Sequence, residues 1–291
     1  MIERLCLIGV GLMGGSLALA LRRHGMVGEV IGIDVDPVNL AEARQRGIID
    51  AGFSDPREGV AGADWVVIAA PVGATPGILA ALLPVWRDDV IYTDTGSTKA
   101  DVIGALERIL GRIPANFVPG HPITGAERSG ARAAEPNLFC NRRVILTPVA
   151  ATSADSLESV ESMWRGVGAS VTRMDPGHHD EVLAATSHLP HVLAFVLTEM
   201  LGRKDEQQEI FQYAAGGFRD FTRIASSDPR MWRDICLANA REIVPLIEQY
   251  REALGITAER MRQGDAEGLL HLFSAARSSR QRFLDQLENS P

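Results

Sequence analysis

Cysteine is scarce and unpatterned: among 291 residues only Cys6, Cys140 and Cys236 carry a thiol, and none stand at metal-ligand spacing. An odd, scattered set argues against a disulfide framework or a cysteine-bound metal. It reads as reduced thiols acting as small apolar residues in a reducing compartment. Positive charge is also in deficit, with 29 Lys and Arg against 37 Asp and Glu and a net charge of −8. A nucleic-acid surface is normally basic, so this balance argues against one, although a few arginines can still reverse the field inside a cleft that takes an anion. No apolar run reaches the ~20 residues expected of a membrane-spanning helix. Met1 leads almost directly into a strand, with no signal peptide, and there is no internal repeat or low-complexity segment. The expectation is a cytoplasmic protein with no nucleic-acid or membrane partner. Its 46% hydrophobic content suffices for one large domain or two ordinary ones.

What is present begins with glycine. The apolar run Leu5-Cys6-Leu7-Ile8 enters Gly9-Val10-Gly11-Leu12-Met13-Gly14-Gly15-Ser16, and Leu17 to Leu21 continues as a good helix. A strand–glycine turn–helix unit suits a dinucleotide pyrophosphate. Gly9 allows the tight turn, Gly11 lets the backbone approach the phosphates, and Gly14 lets the helix pack closely on the strand. The turn alone is weak evidence, but a second run, Val30-Ile31-Gly32-Ile33, ends in Asp34, where a carboxylate accepts from the ribose hydroxyls. Val35, Asp36 and Pro37 follow with no Arg or Lys to meet a 2′-phosphate, which favours NAD over NADP.

Farther on, Asp36 and Pro37 cap a helix to Arg46, and Asp64 to Ala70 forms a buried strand broken at Pro71 and Gly73. A helix covers Ile78–Leu83, Val90–Asp94 is a fourth strand, and Ala100–Leu110 a helix. A fifth strand, Phe117–Val118, runs out into Pro119–Gly130. Val144–Thr147, a helix over Ser153–Trp164 and Ala169–Thr172 close the alternation. The pattern predicts a doubly wound, Rossmann-type parallel α/β domain over residues 1–172, followed by an all-α domain over 173–291. In the second domain a helix over Asp180–Leu201 is apolar nearly all round in its second half, a hint of burial against a second subunit. Asp228 and Pro229 start a helix to about Tyr250, kinked at Pro245, and Gly264 and Gly268 punctuate the rest.

Several residues invite chemistry. His121, just past a strand end, is either a general base with an ordinary pKa of about 6.5 or a loop hydrogen-bonder. As a base it predicts a fall in kcat/KM below about pH 6.5. Ser97, Thr98 and Lys99 either cap the next helix or, for Ser97, meet the nicotinamide or orient His121. His188 and His191 share a helical face as a substrate-facing or supporting pair; with His178, His179 and Asp180 they match no metal motif. Gly216 and Gly217 make a glycine turn before Arg219 and Arg223, and arginine suits a planar carboxylate. Trp232 reads first as core packing and second as an aromatic lid.

Together these segments resemble the prephenate/arogenate dehydrogenases of tyrosine biosynthesis over nearly the whole chain. The resemblance rests on Gly9–Ser16, Thr93–Lys99, Gly120–Glu127, Ser187–His191, Gly216–Ala225 and Asp228–Trp232. It implies that His121 accepts the ring 4-hydroxyl proton and that Ser97 sits between it and the nicotinamide. It further implies that Arg223 binds a substrate carboxylate, that His191, His188 and Trp232 line the pocket with Gly217, and that Glu127 belongs to its polar gate. The implied NAD contacts are Gly9, Gly11, Leu12, Met13, Gly14, Asp34, Pro71 and Ser97. It implies a homodimer through the helical domain and no metal. The expected reaction is oxidative decarboxylation of prephenate, arogenate or both. The end of the chain at Pro291 leads to the expectation of no ACT domain and no fused chorismate mutase. The rival readings are another β-hydroxyacid-type NAD dehydrogenase, which would place a lysine base on a helix, and a non-catalytic nucleotide sensor.

Overall fold

The computed structural model describes residues 1–125, 128–204 and 209–288. The chain divides into two compact units, Met1–Ile243 and Val244–Pro291.

The first unit opens with β1 (Ile2–Ile8), α1 (Leu12–Arg23), β2 (Val27–Ile33), α2 (Pro37–Gln45), β3 (Ala51–Phe53), α3 (Pro56–Val60), β4 (Trp65–Ile68) and α4 (Thr75–Leu82). It continues with β5 (Ile91–Asp94), α5 (Ala100–Leu110), β6 (Phe117–Val118), β7 (Gly120–Pro122), β8 (Arg143–Leu146), α6 (Ala154–Gly166) and β9 (Ser170–Arg173). Six strands form a parallel sheet in the order β3-β2-β1-β4-β5-β6, whose reversal point lies between β1 and β4. Alternation along β1 shows why both faces are covered. Leu5 and Leu7 join one core with α1 and α6, whereas Cys6 and Ile8 join the other with α4 and α5. Each such Leu or Ile contributes roughly 1.5–3 kcal/mol by leaving water. Asp36 caps α2 and Ser153 caps α6 through side-chain oxygens, as their residue types predict.

Two features depart from the sequence reading. Strand β3 and helix α3 were not expected, because three and five residues are too short to carry a hydrophobic period. The exit from β6 is also not a free loop: Gly120–Pro122 pairs antiparallel with β8, and β8 pairs parallel with β9 in a separate three-stranded sheet. His121 therefore stands on a strand, opposite Ile145.

The rest of this unit is helical: α7 (Pro176–Leu183), a π-helical turn (Ala184–His188), α8 (Leu189–Lys204), α9 (Glu209–Gln212) and α10 (Gly216–Thr222). A 3-10 turn (Arg223–Ser226), α11 (Pro229–Ala238) and the start of α12 (Ala240–Gln263) complete it. The π turn fuses α7 and α8 into one run, Pro176–Lys204, which by length and a mean hydropathy of 1.2 is just apolar enough to cross a membrane. The sequence reading did not expect such a run. Only Ala194 of α8 is fully buried within the chain; most of its other apolar residues are half-buried, and Val196 and Met200 stand exposed. The helix expected from Asp228 to about Tyr250 breaks at Asn239, whose side chain bonds the Asp180 carbonyl and His188; Pro245 lies inside α12.

The second unit holds most of α12 and α13 (Ala266–Glu288). Gly264, at φ +67°, ends α12, while Gly268 lies in the first turn of α13 with its N–H on Asp265. Leu254, Met261, Leu270, Phe273 and Phe283 are exposed on these helices.

Candidate active site

At the carboxyl end of β1 the three glycines do different work. Gly9 takes φ +93°, and a Cβ there would stand 2.6 Å from the Ala69 carbonyl oxygen. A Cβ on Gly14 would collide with the Gly9 carbonyl oxygen, whereas one on Gly11 would meet nothing within 4 Å. Gly11 heads α1 without a side-chain cap, and Leu12 and Met13 lie half-buried in the first turn. Open space beside uncapped helix N–H groups fits a pyrophosphate. Asp34 sits at the end of β2 with its carboxylate already held. Oδ2 accepts from Val10 N at 3.2 Å and Asn39 Nδ2 at 2.8 Å, and Oδ1 accepts from Asp36 N at 3.0 Å. Asn39, unnoticed in the sequence, also accepts from Ala131 N at 2.7 Å and so ties α2 to the segment after β7. Pro71 is exposed just beyond β4 and opens the turn Val72–Ala74, on which α11 packs. These residues fit NAD. Gly14→Ala, forced against the Gly9 carbonyl, should cost about 1–3 kcal/mol. Thermal melts should show a lower Tm and weaker NAD+ stabilisation; an unchanged Tm shift on adding NAD+ would contradict this use of the turn.

The chemistry gathers at the carboxyl ends of β5 and β6. His121 Nδ1 lies 2.9 Å from His179 Nε2, and His179 Nδ1 lies 2.8 Å from Asp180 Oδ1. Asp180 also accepts from the backbone N–H groups of Lys99 at 2.9 Å and Ala100 at 2.8 Å. Burial raises the Asp180 pKa, but the bonds from His179, Ala100 and Lys99 outweigh it and hold the carboxyl below its ordinary range. An ionised Asp180 accepts the hydrogen bond of His179 Nδ1–H, and in that tautomer His179 Nε2 is the acceptor. His121 must then donate from Nδ1, so its Nε2 carries the lone pair. Burial, followed by the nearby His179, Lys99 and His188, keeps the His121 pKa well below its ordinary value. This corrects the expectation of an acid limb near pH 6.5. Ser97 is half-buried and does not cap α5; Lys99 occupies the cap position and Asp180 supplies the bonds. The lysine of the rival dehydrogenase reading finds no counterpart in Lys99, which is fully buried against Asp94 and the Gly120 carbonyl.

The predicted pocket histidines come together around an indole. His191 stacks on Trp232 with centroids 3.6 Å apart, and His188 meets the same ring edge-on at 6.1 Å. Trp232 packs with Val72 and Ile235, so it is both core and ring platform. Asn239 Nδ2 lies 3.1 Å from His188 Nδ1, which makes Nδ1 the acceptor and places the proton on Nε2; burial lowers the His188 pKa to about 4. His191 Nδ1 donates to the Ser187 carbonyl at 2.8 Å, and its pKa is lowered by burial and by the charge of Arg223. Arg223 is exposed in the 3-10 turn that packs on α8. Gly217 does not form a turn: Gly216 and Gly217 are the first residues of α10, exposed and unobstructed. Glu127 lies outside the described residues. His179, Asp180 and Asn239 were missed as parts of this site. The one local signal was the His178-His179-Asp180 cluster, set aside for lack of a metal motif.

Comparison with known proteins shows the family. Residues 17–173 match the family model for the prephenate dehydrogenase nucleotide-binding domain, and residues 175–275 match that for the prephenate dehydrogenase dimerization domain. The chain is 36% identical to a cyclohexadienyl dehydrogenase of Zymomonas mobilis, over 96% of this chain and 95% of that protein. It is 36% identical to a prephenate dehydrogenase of Bacillus subtilis, over 96% and 75% of the two chains. A crystal structure of prephenate dehydrogenase from A. aeolicus, in complex with hydroxyphenyl propionate and NAD+, superposes with a TM-score of 0.89 at 36% identity, over 97% of this chain and 99% of that one. The glycine turn, the buried histidine relay and the ring-stacking histidine thus lie in a chain that belongs to the prephenate dehydrogenase family.

Proposed function

We propose that this chain catalyses the NAD-dependent oxidative decarboxylation of prephenate to 4-hydroxyphenylpyruvate in L-tyrosine biosynthesis, and that it can take arogenate to tyrosine by the same chemistry. The observation that carries the reading is the Asp180–His179–His121 relay, which leaves an unprotonated Nε2 on His121 in a chain that also carries the dinucleotide-type glycine turn. NAD+, once bound, supplies the acceptor for the hydride from ring C4. His121 takes the 4-hydroxyl proton at Nε2 as that hydride leaves. The ring carboxylate departs as CO2, its bonding electrons aromatise the ring, and His121 returns the proton to the phenol oxygen, so no net proton is released. Ser97 stands between His121 and the nicotinamide. Arg223 holds a substrate carboxylate, and His188, His191 and Trp232 line the ring pocket with Gly217 and, at its gate, Glu127. The assignment of residues 1–172 to the cofactor and 173–291 to substrate and dimerisation belongs to the same reading, as does a homodimer working in the cytoplasm. The match of residues 175–275 to a dimerization domain, with Val196 and Met200 exposed on α8, supports the homodimer.

The direct test is NADH absorbance with prephenate or arogenate, each with NAD+ and NADP+. Turnover of neither substrate would sink the proposal. The pH dependence is a sharper check. A histidine whose pKa is depressed stays a competent base as the pH falls through 6.5, so kcat/KM should stay flat there and decline only at distinctly lower pH. A decline centred at 6.5 would mean that the His121 environment is not as described.

A further inference from the structure

We propose that the buried pair Asp94–Lys99 is the positioning device of the catalytic base, clamping the peptide groups of Gly120 from both sides so that His121 is held against His179. Asp94 Oδ1 accepts from Gly120 N at 3.0 Å, and Lys99 Nζ donates to Gly120 O at 2.7 Å while paired with Asp94 Oδ2. Both polar groups of the residue before His121 are thus bound by one ion pair. The contact is close-fitting: a Cβ on Gly120 would stand 3.1 Å from both Asp94 O and Leu146 Cδ2. Lys99 also reaches the other end of the base. Its N–H bonds Asp180 Oδ1, the atom that receives His179 Nδ1. A single residue therefore touches the main chain leading into His121 and the relay that fixes its imidazole.

Core stability is a poor explanation for this pair. A buried ion pair must offset the desolvation of two charges, and apolar residues often serve a core as well. Lys99 is, moreover, at the N-terminal end of α5, where the helix dipole disfavours a cation. Of the 29 basic residues only Lys99 and Lys204 are lysine, so at this fully buried site the chain departs from its general use of arginine. A compact ammonium can serve Asp94 and a carbonyl oxygen at once in a space that a planar guanidinium does not match. Local preference, charge and composition all run against lysine here, and the Gly120 clamp is what it accomplishes.

The inference rests on His121 being the base, and the test separates the two ideas. The charged and titratable groups around the ring are His179 and Asp180 from α7, Asp94 from the end of β5, Lys99 from the connection to α5, and His188 from the π turn. Lys99→Met and the charge-balanced Asp94→Asn/Lys99→Met should each lower kcat by about 10–100-fold, the range for a modest misplacement of a reacting group. The NAD+ dissociation constant should stay near that of the wild type. The acid limb of kcat/KM should move to higher pH in Lys99→Met, because a positive charge near His121 is lost. Combined with His121→Asn, the Lys99→Met change should lower the residual rate no further, since the clamp acts through the missing base. Wild-type kcat and acid limb in the folded variants would overturn the inference, as would loss of cooperative melting in both, which would assign the pair to the core. If His121→Asn itself turns over normally, the base assignment has failed, whatever the Lys99 variants do.

Discussion

His121→Asn should lower kcat by about 10²–10⁴-fold, the usual range for a positioned general base, while leaving NAD+ binding intact. Asparagine is the informative replacement because it separates the two nitrogens of the ring. Its amide N–H can still donate to His179 Nε2, as His121 Nδ1 does across 2.9 Å, so the relay keeps its partner. It offers no lone pair at the Nε2 position. Asp34 bonds Val10, Asp36 and Asn39 rather than His121, so cofactor affinity, followed by the quenching of tryptophan fluorescence, has no reason to change. KM should also move little, because proton transfer is needed only in the transition state. Near-normal turnover would take His121 out of the base role and leave the depressed pKa as a consequence of burial alone.

Arg223→Ala should raise KM by about 10–100-fold with a smaller effect on kcat, as expected when a charged hydrogen bond of roughly 1.5–3 kcal/mol is lost from ground state and transition state alike. His188 and His191 are both held below their ordinary pKa, so neither supplies a full positive charge at neutral pH to receive a dianionic substrate. The arginine is the cation whose charge reaches His191, and its turn is anchored on α8, the helix that carries that histidine. Arg223→Lys should recover only part of the loss, because an ammonium does not match a carboxylate in the bidentate manner of a guanidinium. A change confined to NAD+ affinity would place Arg223 at the cofactor and overturn its assignment to substrate.

The parts of this protein that could be read from sequence are those encoded locally. Gly9, Gly11 and Gly14 announce a turn through spacing, and Asp36, Ser153 and Asp228 announce helix starts through their own side-chain oxygens. His188, His191 and Trp232 were legible as separate candidates, and the fold brings them together. The machinery behind His121 was not legible, because its partners are far apart in the chain. His179 is 58 residues from His121, and Asp180 is 81 residues from the Lys99 N–H that it accepts. No periodicity or spacing rule spans such distances. The capping of α5 shows the same limit: Ser97 and Thr98 are good capping types, yet the carboxylate comes from another helix. The short strands β3 and β7 failed for the opposite reason. They hold too few residues to show a pattern, and their pairing is set by the neighbours that receive them.

Asp180 bears on how such a protein can be divided or exchanged. It lies in the segment that matches the dimerization domain, but its carboxylate closes the open end of a helix in the segment that matches the nucleotide-binding domain. The same carboxylate sets the proton on His179. A cofactor half transplanted onto a foreign helical half would arrive with an unfinished α5 and a base whose tautomer nothing dictates. Within this chain the two segments are therefore matched to one another through Asp180.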